Sequence, residues 1–368
     1  MTANVLVCGT GFGRVYLGAL ARPDGPLRLA GILARGSERS VGIAERAGVP
    51  LYTDPDQVPA DVDLAVVAVY AGVNGGPGSE LAQRLMSRGT HVLQEGPVHH
   101  DELAESLRVA RRHGVLHQVS TYYPQVAPVR RFIGAARALA RRQRPVYVEA
   151  TCGLQVFYHL FDILRLALGG LRPWSFDEPV TGGGPFRTLT GQVRGVPIAI
   201  RVQNQLHVTD PDNHAHLLHR ITIGAEGGNL TLLNTHGPVV WSPRPHFPEE
   251  GRSAHRLDEA PGAHLDAPSA EFLGPAEAPS YREIVGRLWP EAAARHLAAL
   301  HRDSRAGVSP LAAGQAQLAV CQAWRDASVR LGKPELLDAP PPEPLSLRDL
   351  DLATDPDLAT DPDLEEAR

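Results

Sequence analysis

Asn4-Val5-Leu6-Val7-Cys8-Gly9-Thr10-Gly11-Phe12-Gly13-Arg14-Val15-Tyr16-Leu17-Gly18 decides the fold. An apolar run of strand type enters a glycine turn and leaves it at helical spacing. Such a turn lets backbone approach a pyrophosphate while the helix N-terminus faces its negative charge. Gly9, Thr10, Gly11, Phe12, Gly13 and Arg14 are therefore the candidate phosphate-binding residues. The spacing departs from G-x-G-x-x-G, because Arg14 stands where the third glycine is usual and Gly13 sits one place early.

From this stretch to about residue 120 the pattern alternates strand and helix. Asn4–Cys8, Leu27–Leu33, Leu64–Val69, His91–Gln94 and Leu116–Val119 read as strands. Arg14–Ala21, Ser40–Ala47, Ser79–Arg88 and Asp101–His113 carry apolar residues at helical spacing between them, with Asp101 the expected helix cap. The alternation predicts an α/β fold with a doubly wound parallel sheet, a Rossmann domain over residues 1–122. After Tyr123-Pro124 a basic helix, a long strand and an apolar helix precede a series of strands separated by Gly and Asp-Pro turns. Residues 123–335 should form a second, α+β domain with an open, mostly antiparallel sheet. Residues 243–280, rich in Pro, His and acids, are expected as an irregular surface loop or lid. Residues 336–368 read as a disordered Pro/Asp-rich tail, since Ala-Thr-Asp-Pro-Asp-Leu occurs twice in succession from Ala353 and cannot bury a core.

The bulk composition narrows the function. At 368 residues the chain can hold two cores, and 43% hydrophobic with 21% charged residues is ordinary for a globular protein. A net charge of −5 offers no general attraction for nucleic acid or an anionic membrane, so neither is an expected partner. No apolar run approaches the roughly 20 residues of a bilayer span, and no leader pattern precedes the first strand; a cytoplasmic protein is expected. Cys8, Cys152 and Cys321 are scattered and read as buried thiols. Asp210-Pro211-Asp212-Asn213-His214 with His216 and His219 has metal-like residue types but no zinc spacing, and no metal is expected. Lys333 is the only lysine, so a lysine base would have to come from a late, Pro-flanked turn.

The ends of the strands carry the candidate chemistry. After the second strand an acidic residue commonly accepts from a ribose 2′-hydroxyl; here Arg35, Ser37 and Arg39 stand instead. Guanidinium and hydroxyl groups suit a 2′-phosphate, which favours NADPH/NADP over a solvated basic turn. Tyr70 after the next long strand, and Glu95 with Pro97 after the one following, should face the nicotinamide half. Glu95-Gly96-Pro97 resembles the Glu-Lys-Pro motif of the Gfo/Idh/MocA oxidoreductases with its lysine replaced, which removes the usual base for alcohol oxidation. Tyr123, at the domain junction, can donate a proton to a nitrogen made basic by arriving hydride, and His99 is a candidate second donor. Each has a plainer reading, Tyr123 as junction filler and His99 as the start of a helix.

With these segments assembled, the chain resembles the thiazolinyl imine reductases, Gfo/Idh/MocA relatives from siderophore assembly lines such as those for yersiniabactin and pyochelin. The resemblance spans roughly residues 4–335. It rests on the glycine turn, on Leu33-Ala34-Arg35-Gly36-Ser37-Glu38-Arg39-Ser40, and on Leu93-Gln94-Glu95 with Pro97-Val98-His99. Gly169-Gly170-Leu171-Arg172-Pro173-Trp174, Gln203-Asn204-Gln205, Asp210–His214 and Leu217-Leu218-His219-Arg220 complete it. It implies NADPH-dependent reduction of a thiazoline C=N to a thiazolidine, on an intermediate carried by a nonribosomal peptide synthetase carrier protein, in a homodimer. It also implies proton donation by the tyrosine matching Tyr123 and by a histidine of a Glu-His-Pro motif, where this chain has Gly96. Two other readings remain: a dehydrogenase of another small molecule on the same scaffold with His99 as its base, or a non-catalytic NADP-binding homologue.

Overall fold

The protein is described by a computed structural model covering residues 2–21, 25–69, 75–246 and 265–350. Six strands make the first sheet: β1 (Ala3–Cys8), β2 (Leu27–Leu33), β3 (Leu51–Tyr52), β4 (Leu64–Val67), β5 (His91–Glu95) and β6 (His117–Ser120). Their spatial order is β3-β2-β1-β4-β5-β6 and every pairing is parallel. Strands covered on both faces must be apolar throughout, and β4 is buried at every position. The order reverses between β1 and β4, so the crevice beyond their carboxyl ends is where a ligand can enter.

Helices α1 (Arg14–Leu20), α2 (Glu38–Ala47), α3 (Pro77–Ser87) and α4 (His100–His113) connect these strands. Both α2 and α4 stop at a left-handed glycine, Gly48 and Gly114, whose backbone N–H closes the last turn. The cap of α4 differs from expectation. Asp101 lies inside the first turn, and His99 is the capping residue.

The second sheet is larger. Its path runs β16-β15-β14-β13-β7-β11-β10-β8, with β9 paired to β10. These strands are β7 (Tyr147–Gly153), β8 (Trp174–Phe176), β9 (Val180–Thr181), β10 (Phe186–Val193), β11 (Val196–Gln203), β13 (His219–Ala225), β14 (Gly228–Leu232), β15 (Val239–Pro243) and β16 (Glu271–Phe272). All neighbours are antiparallel except β7 and β11, which run parallel at its centre. Val148, Ala150 and Cys152 point to the core while Glu149 is exposed, the alternation of a sheet covered on one face. That face is covered by α5 (Ala127–Ala140), α6 (Phe157–Leu168) and α8 (Pro310–Leu331). Phe157 and Phe161 of α6 are wholly buried there, and truncating one such ring typically costs about 3–5 kcal/mol.

Two features revise the expected organisation. Helix α7 (Trp289–Arg305), within the segment assigned to the second domain, packs on the first. Its Ala293, Leu297 and Leu300 share one stripe and are fully buried with Tyr16, Ala19 and Leu20 of α1. The tail is also anchored at its start: β12 (Gln205–His207) pairs in parallel with β17 (Glu335–Leu337), and His214 Nε2 meets the Ala339 carbonyl at 2.8 Å. Within the segment expected to be disordered, Leu336-Leu337 is thus held by backbone pairing, with the Leu336 side chain left exposed. Residues 351–368 of that tail, and 247–264 of the expected lid, lie outside the described residues. All three cysteines are buried and unpaired, and no described helix is long and apolar enough to cross a membrane.

The anchored strand predicts a measurable difference. A chain ending after Pro334 should melt several degrees below one ending after Ser346, since each lost backbone hydrogen bond is worth about 1 kcal/mol. Equal melting temperatures by calorimetry would show that β17 contributes nothing.

Candidate active site

The glycine turn leaves β1 under tight steric control. Gly9 has φ +90°, and a β-carbon at Gly13 would lie 2.0 Å from the Gly9 carbonyl oxygen. Gly13 therefore closes the turn even though it comes one place early. A β-carbon on Gly11, by contrast, would meet nothing within 4 Å. The turn is a cradle with its open side at Gly11, in front of the α1 N-terminus, and that fits a dinucleotide pyrophosphate. Arg14 folds back, its Nε donating to the Gly11 carbonyl at 3.1 Å.

The candidate 2′-phosphate residues gather beside this cradle. Arg39 donates from Nη2 to the Thr10 carbonyl at 3.0 Å, which joins the start of α2 to the glycine turn. Ser37 caps α2, its Oγ accepting from the Ser40 N–H at 3.4 Å, and Arg35 is exposed next to it. Tyr70 lies outside the described residues.

At the carboxyl end of β5, Glu95 is held by Tyr16 of α1. The Tyr16 hydroxyl donates to Glu95 Oε2 at 2.6 Å and lies 2.6 Å from Ser120 Oγ at the end of β6. Burial pushes the Glu95 carboxyl up to about 8, so it is mostly a neutral acid at pH 7. Pro97 follows across a cis peptide bond from Gly96. Gly96 leaves no vacancy behind it. A β-carbon there would stand 3.0 Å from Val119 Cγ1 and 3.2 Å from Tyr158 Cε1, so the position is crowded.

Beyond β6 the aromatic side chains form a continuous contact. Phe12 of the glycine turn lies 5.4 Å from the Tyr122 ring, and Tyr122 stacks on Tyr123 at 4.4 Å. His159 and His219 meet Tyr123 edge-on at 5.0 and 5.1 Å. His219 donates from Nε2 to the Val156 carbonyl and accepts at Nδ1 from the Thr235 hydroxyl, an arrangement that fixes its ring. Burial pushes His219 down to about 3 and His159 to about 4, so neither is cationic at pH 7. The same burial raises the Tyr123 phenol above its ordinary range, keeping its proton in place.

Tyr123 also lines a cavity of about 480 Å3 together with Asp212, His236, Tyr281, Val285 and Trp289. Trp289 donates from Nε1 to His236 Nε2 at 3.0 Å, so the imidazole accepts and its other nitrogen carries the proton. A π-helical turn at Ile284–Leu288 leads directly into Trp289. The cavity is mainly apolar with one carboxyl, Asp212, which is exposed at its edge and whose pKa is raised by partial desolvation.

The structure thus brings Tyr123, Phe12 and the glycine turn into one chain of contacts. It does not bring His99 into it: His99 Nδ1 accepts from the Asp101 N–H at 3.4 Å as the cap of α4. That bond engages Nδ1 and leaves the proton on Nε2. Sequence reasoning missed Tyr16, His159, His236 and Trp289 as parts of the site, and weighed His219 only as a metal-like residue. The signal was weak, since these residues come from five separate segments. Among the described residues no group of three or more His, Cys, Asp or Glu could hold a metal.

Comparisons with known proteins follow this division. Residues 3–121 match the family described as "Oxidoreductase family, NAD-binding Rossmann fold", GFO_IDH_MocA. Residues 143–242 match "Thiazolinyl imine reductase Irp3-like, C-terminal". Among curated proteins none matches significantly. Similar solved structures include UDP-N-acetylglucosamine 3-dehydrogenase from Acidithiobacillus ferrooxidans, 17% identical over 90% of this chain and 98% of that one, with a TM-score of 0.63. A 3-ketoreductase from Actinomadura kijaniata in complex with TDP-benzene and NADP is 16% identical over 91% and 99%, also at 0.63. Levoglucosan dehydrogenase in complex with NADH and levoglucosan is 14% identical over 90% and 98%, again at 0.63. These likenesses establish the shared fold.

Two outcomes test the site. Gly11→Ala should fold with an unchanged melting temperature yet bind NADP at least about tenfold more weakly, about 1.4 kcal/mol, by titration calorimetry. Unchanged affinity would mean that the open side of the turn faces no nucleotide. The raised Glu95 pKa sets the second: the folded state holds a proton that the unfolded state releases from about pH 4.5 upward, so this group lowers stability as pH rises to about 8. Glu95→Gln should flatten that decline in melting temperature, and an identical pH profile would contradict the assignment.

Proposed function

We propose that this Gfo/Idh/MocA oxidoreductase with an Irp3-like C-terminal domain is an NADPH-dependent imine reductase. It reduces a thiazoline C=N to a thiazolidine on an intermediate borne by a nonribosomal peptide synthetase carrier protein, as in siderophore assembly. One observation carries the reading. A buried phenol, Tyr123, borders the cavity on one side and reaches the glycine turn through Tyr122 and Phe12 on the other.

The bound cofactor would supply a hydride to the C=N carbon. The cradle at Gly9–Arg14 would hold its pyrophosphate, and Arg35 and Arg39 its 2′-phosphate, with Ser37 setting the start of α2 beside them. Tyr123 gives its proton to the ring nitrogen as that nitrogen becomes basic. The two electrons of the hydride and the single proton complete the C–H and N–H bonds. Its raised pKa keeps the proton on the phenol until a strong base forms next to it. His159 and His219 hold the phenol by their edges and stay neutral. Neutral Glu95, hydrogen-bonded to Tyr16, keeps a negative charge away from the crevice. Trp289 and Val285 offer a flat and an aliphatic wall to an uncharged heterocycle.

The alternative of alcohol oxidation has little to work with. The sole lysine, Lys333, follows α8, where its carbonyl accepts from Asn204, and Gly96 occupies the place of the motif lysine. With Gly96 crowded by Val119 and Tyr158, Tyr123 is the proton donor in this reading. The face of the second sheet opposite its helices, lined by Thr151, Thr188, Thr190, Thr222 and Thr231, is the surface we propose for pairing two copies, testable by light scattering.

The direct test follows NADPH absorbance with a thiazoline thioester and, in parallel, with sugars and hydroxy acids. Turnover is expected with the thiazoline alone. Tyr123→Phe should lower it about 10²–10⁴-fold while leaving NADPH affinity unchanged. Wild-type rates in that variant would remove Tyr123 from the chemistry. NADPH should outperform NADH, and Arg39→Ala should narrow the gap between them; a preference for NADH would refute the roles of Arg35 and Arg39.

A further inference from the structure

Four arginines line a second concavity, of about 540 Å3, that has no carboxylate among its lining residues. Each comes from a different segment: Arg137 from α5, Arg165 from α6, Arg172 from the loop after α6, and Arg194 from the β10–β11 hairpin. Some arginines elsewhere, among them Arg84, Arg108 and Arg330, lie within 4 Å of a carboxylate. In the groove only Arg165 does, paired with Asp162. Converging cations repel one another unless an anion neutralises them.

The plainest role for these side chains is to finish α6. Arg137 Nε donates to the Leu166 carbonyl at 2.7 Å, and Arg194 Nη1 to the Leu168 carbonyl at 2.8 Å. Cations are favourable at a helix C-terminus. That role uses one N–H of each guanidinium, and each has five. Arg172 caps nothing: its Nη2 donates to Gln322 Oε1 and its guanidinium lies 5.6 Å over the Trp174 ring.

Backbone geometry supplies an independent sign. Arg194 has φ +57° and is the only non-glycine residue at positive φ among the described residues. It takes the first place of a two-residue hairpin turn, where Asn or Gly would be less strained. Its side chain lies on two consecutive glycines: a β-carbon at Gly169 would stand 2.9 Å from Arg194 Nη1, and one at Gly170 3.6 Å from it. A strained arginine and two glycines cooperate to lay one guanidinium over the groove. A cap alone does not require this, since α2 and α4 end without any such arginine.

We propose that this groove is an anion site for a phosphate group, either free or as the ester of a larger molecule. Several guanidiniums with spare N–H donors match the several oxygens of phosphate, and bidentate pairing is their preferred geometry. The groove lies at the C-terminus of α6 on the second sheet layer, apart from the glycine turn that begins α1.

Calorimetric titration of the full chain with inorganic phosphate tests it, with NADP present in saturating amount so that the glycine turn is filled. Saturable binding is expected, absent with sodium chloride at equal ionic strength. Arg194→Gly should weaken it at least tenfold with little change in melting temperature, because the relief of the left-handed turn offsets the lost cap on Leu168. Arg172→Ala, which leaves the α6 cap intact, should weaken it comparably, and Arg84→Ala should leave it unchanged. No saturable binding by the wild type, or equal affinity in Arg194→Gly and Arg172→Ala, would overturn the proposal. Pantetheine 4′-phosphate separates the sources: tighter binding than inorganic phosphate assigns the site to an ester, equal or weaker binding to the free anion. Only the meaning of that ester arm rests on the carrier-borne substrate, and its outcome leaves the phosphate result standing.

Discussion

The hydroxyl of Tyr16 stands between Glu95 and Ser120, and the rest of the crevice is arranged around that contact. It ties the first helix to the ends of two neighbouring strands, β5 and β6, at the carboxyl edge of the first sheet. An acid largely withdrawn from water, with only the hydroxyls of Tyr16 and Ser120 beside it, prefers to remain protonated. The result is an uncharged floor beneath the site proposed for the nicotinamide. A cationic nicotinamide and a neutral one then differ in how well they suit it. A positive ring beside Glu95 lowers the cost of ionising the acid.

Much of this architecture can be read from residue order. Buried parallel strands have to be apolar at consecutive positions, so β1, β2, β4 and β5 stand out, and the glycine turn marks where the ligand enters. The alternating burial of β7 and β11 likewise makes the one-sided second sheet legible. The destination of an amphipathic helix is not. The stripe of Ala293, Leu297 and Leu300 shows that α7 buries a face, but nothing local tells which layer receives it. The same limit explains Leu336-Leu337, whose strand partner is more than a hundred residues away.

Within the site the division is similar. The glycines of the turn lie within five residues, and Arg35, Ser37 and Arg39 within another five, so each group is legible as a local pattern. His99 looked like a proton donor because imidazole is versatile, and only the position of the Asp101 N–H shows its nitrogen engaged in a cap. His219 looked like part of a metal-like cluster; the bonds to Thr235 and Val156 turn it toward Tyr123 instead. Gly96 suggested a missing group, whereas Val119 and Tyr158 crowd the position. A larger side chain at this position would require Val119 or Tyr158 to give way.

Helix α7 begins with Trp289 at the cavity wall and runs on against α1. Trp289 itself packs on the core of the second layer and donates to His236, whereas Ala293, Leu297 and Leu300 farther along the same helix pack on α1. One helix therefore spans both cores, and the wall of the cavity is built on the same rigid rod that buttresses the glycine turn.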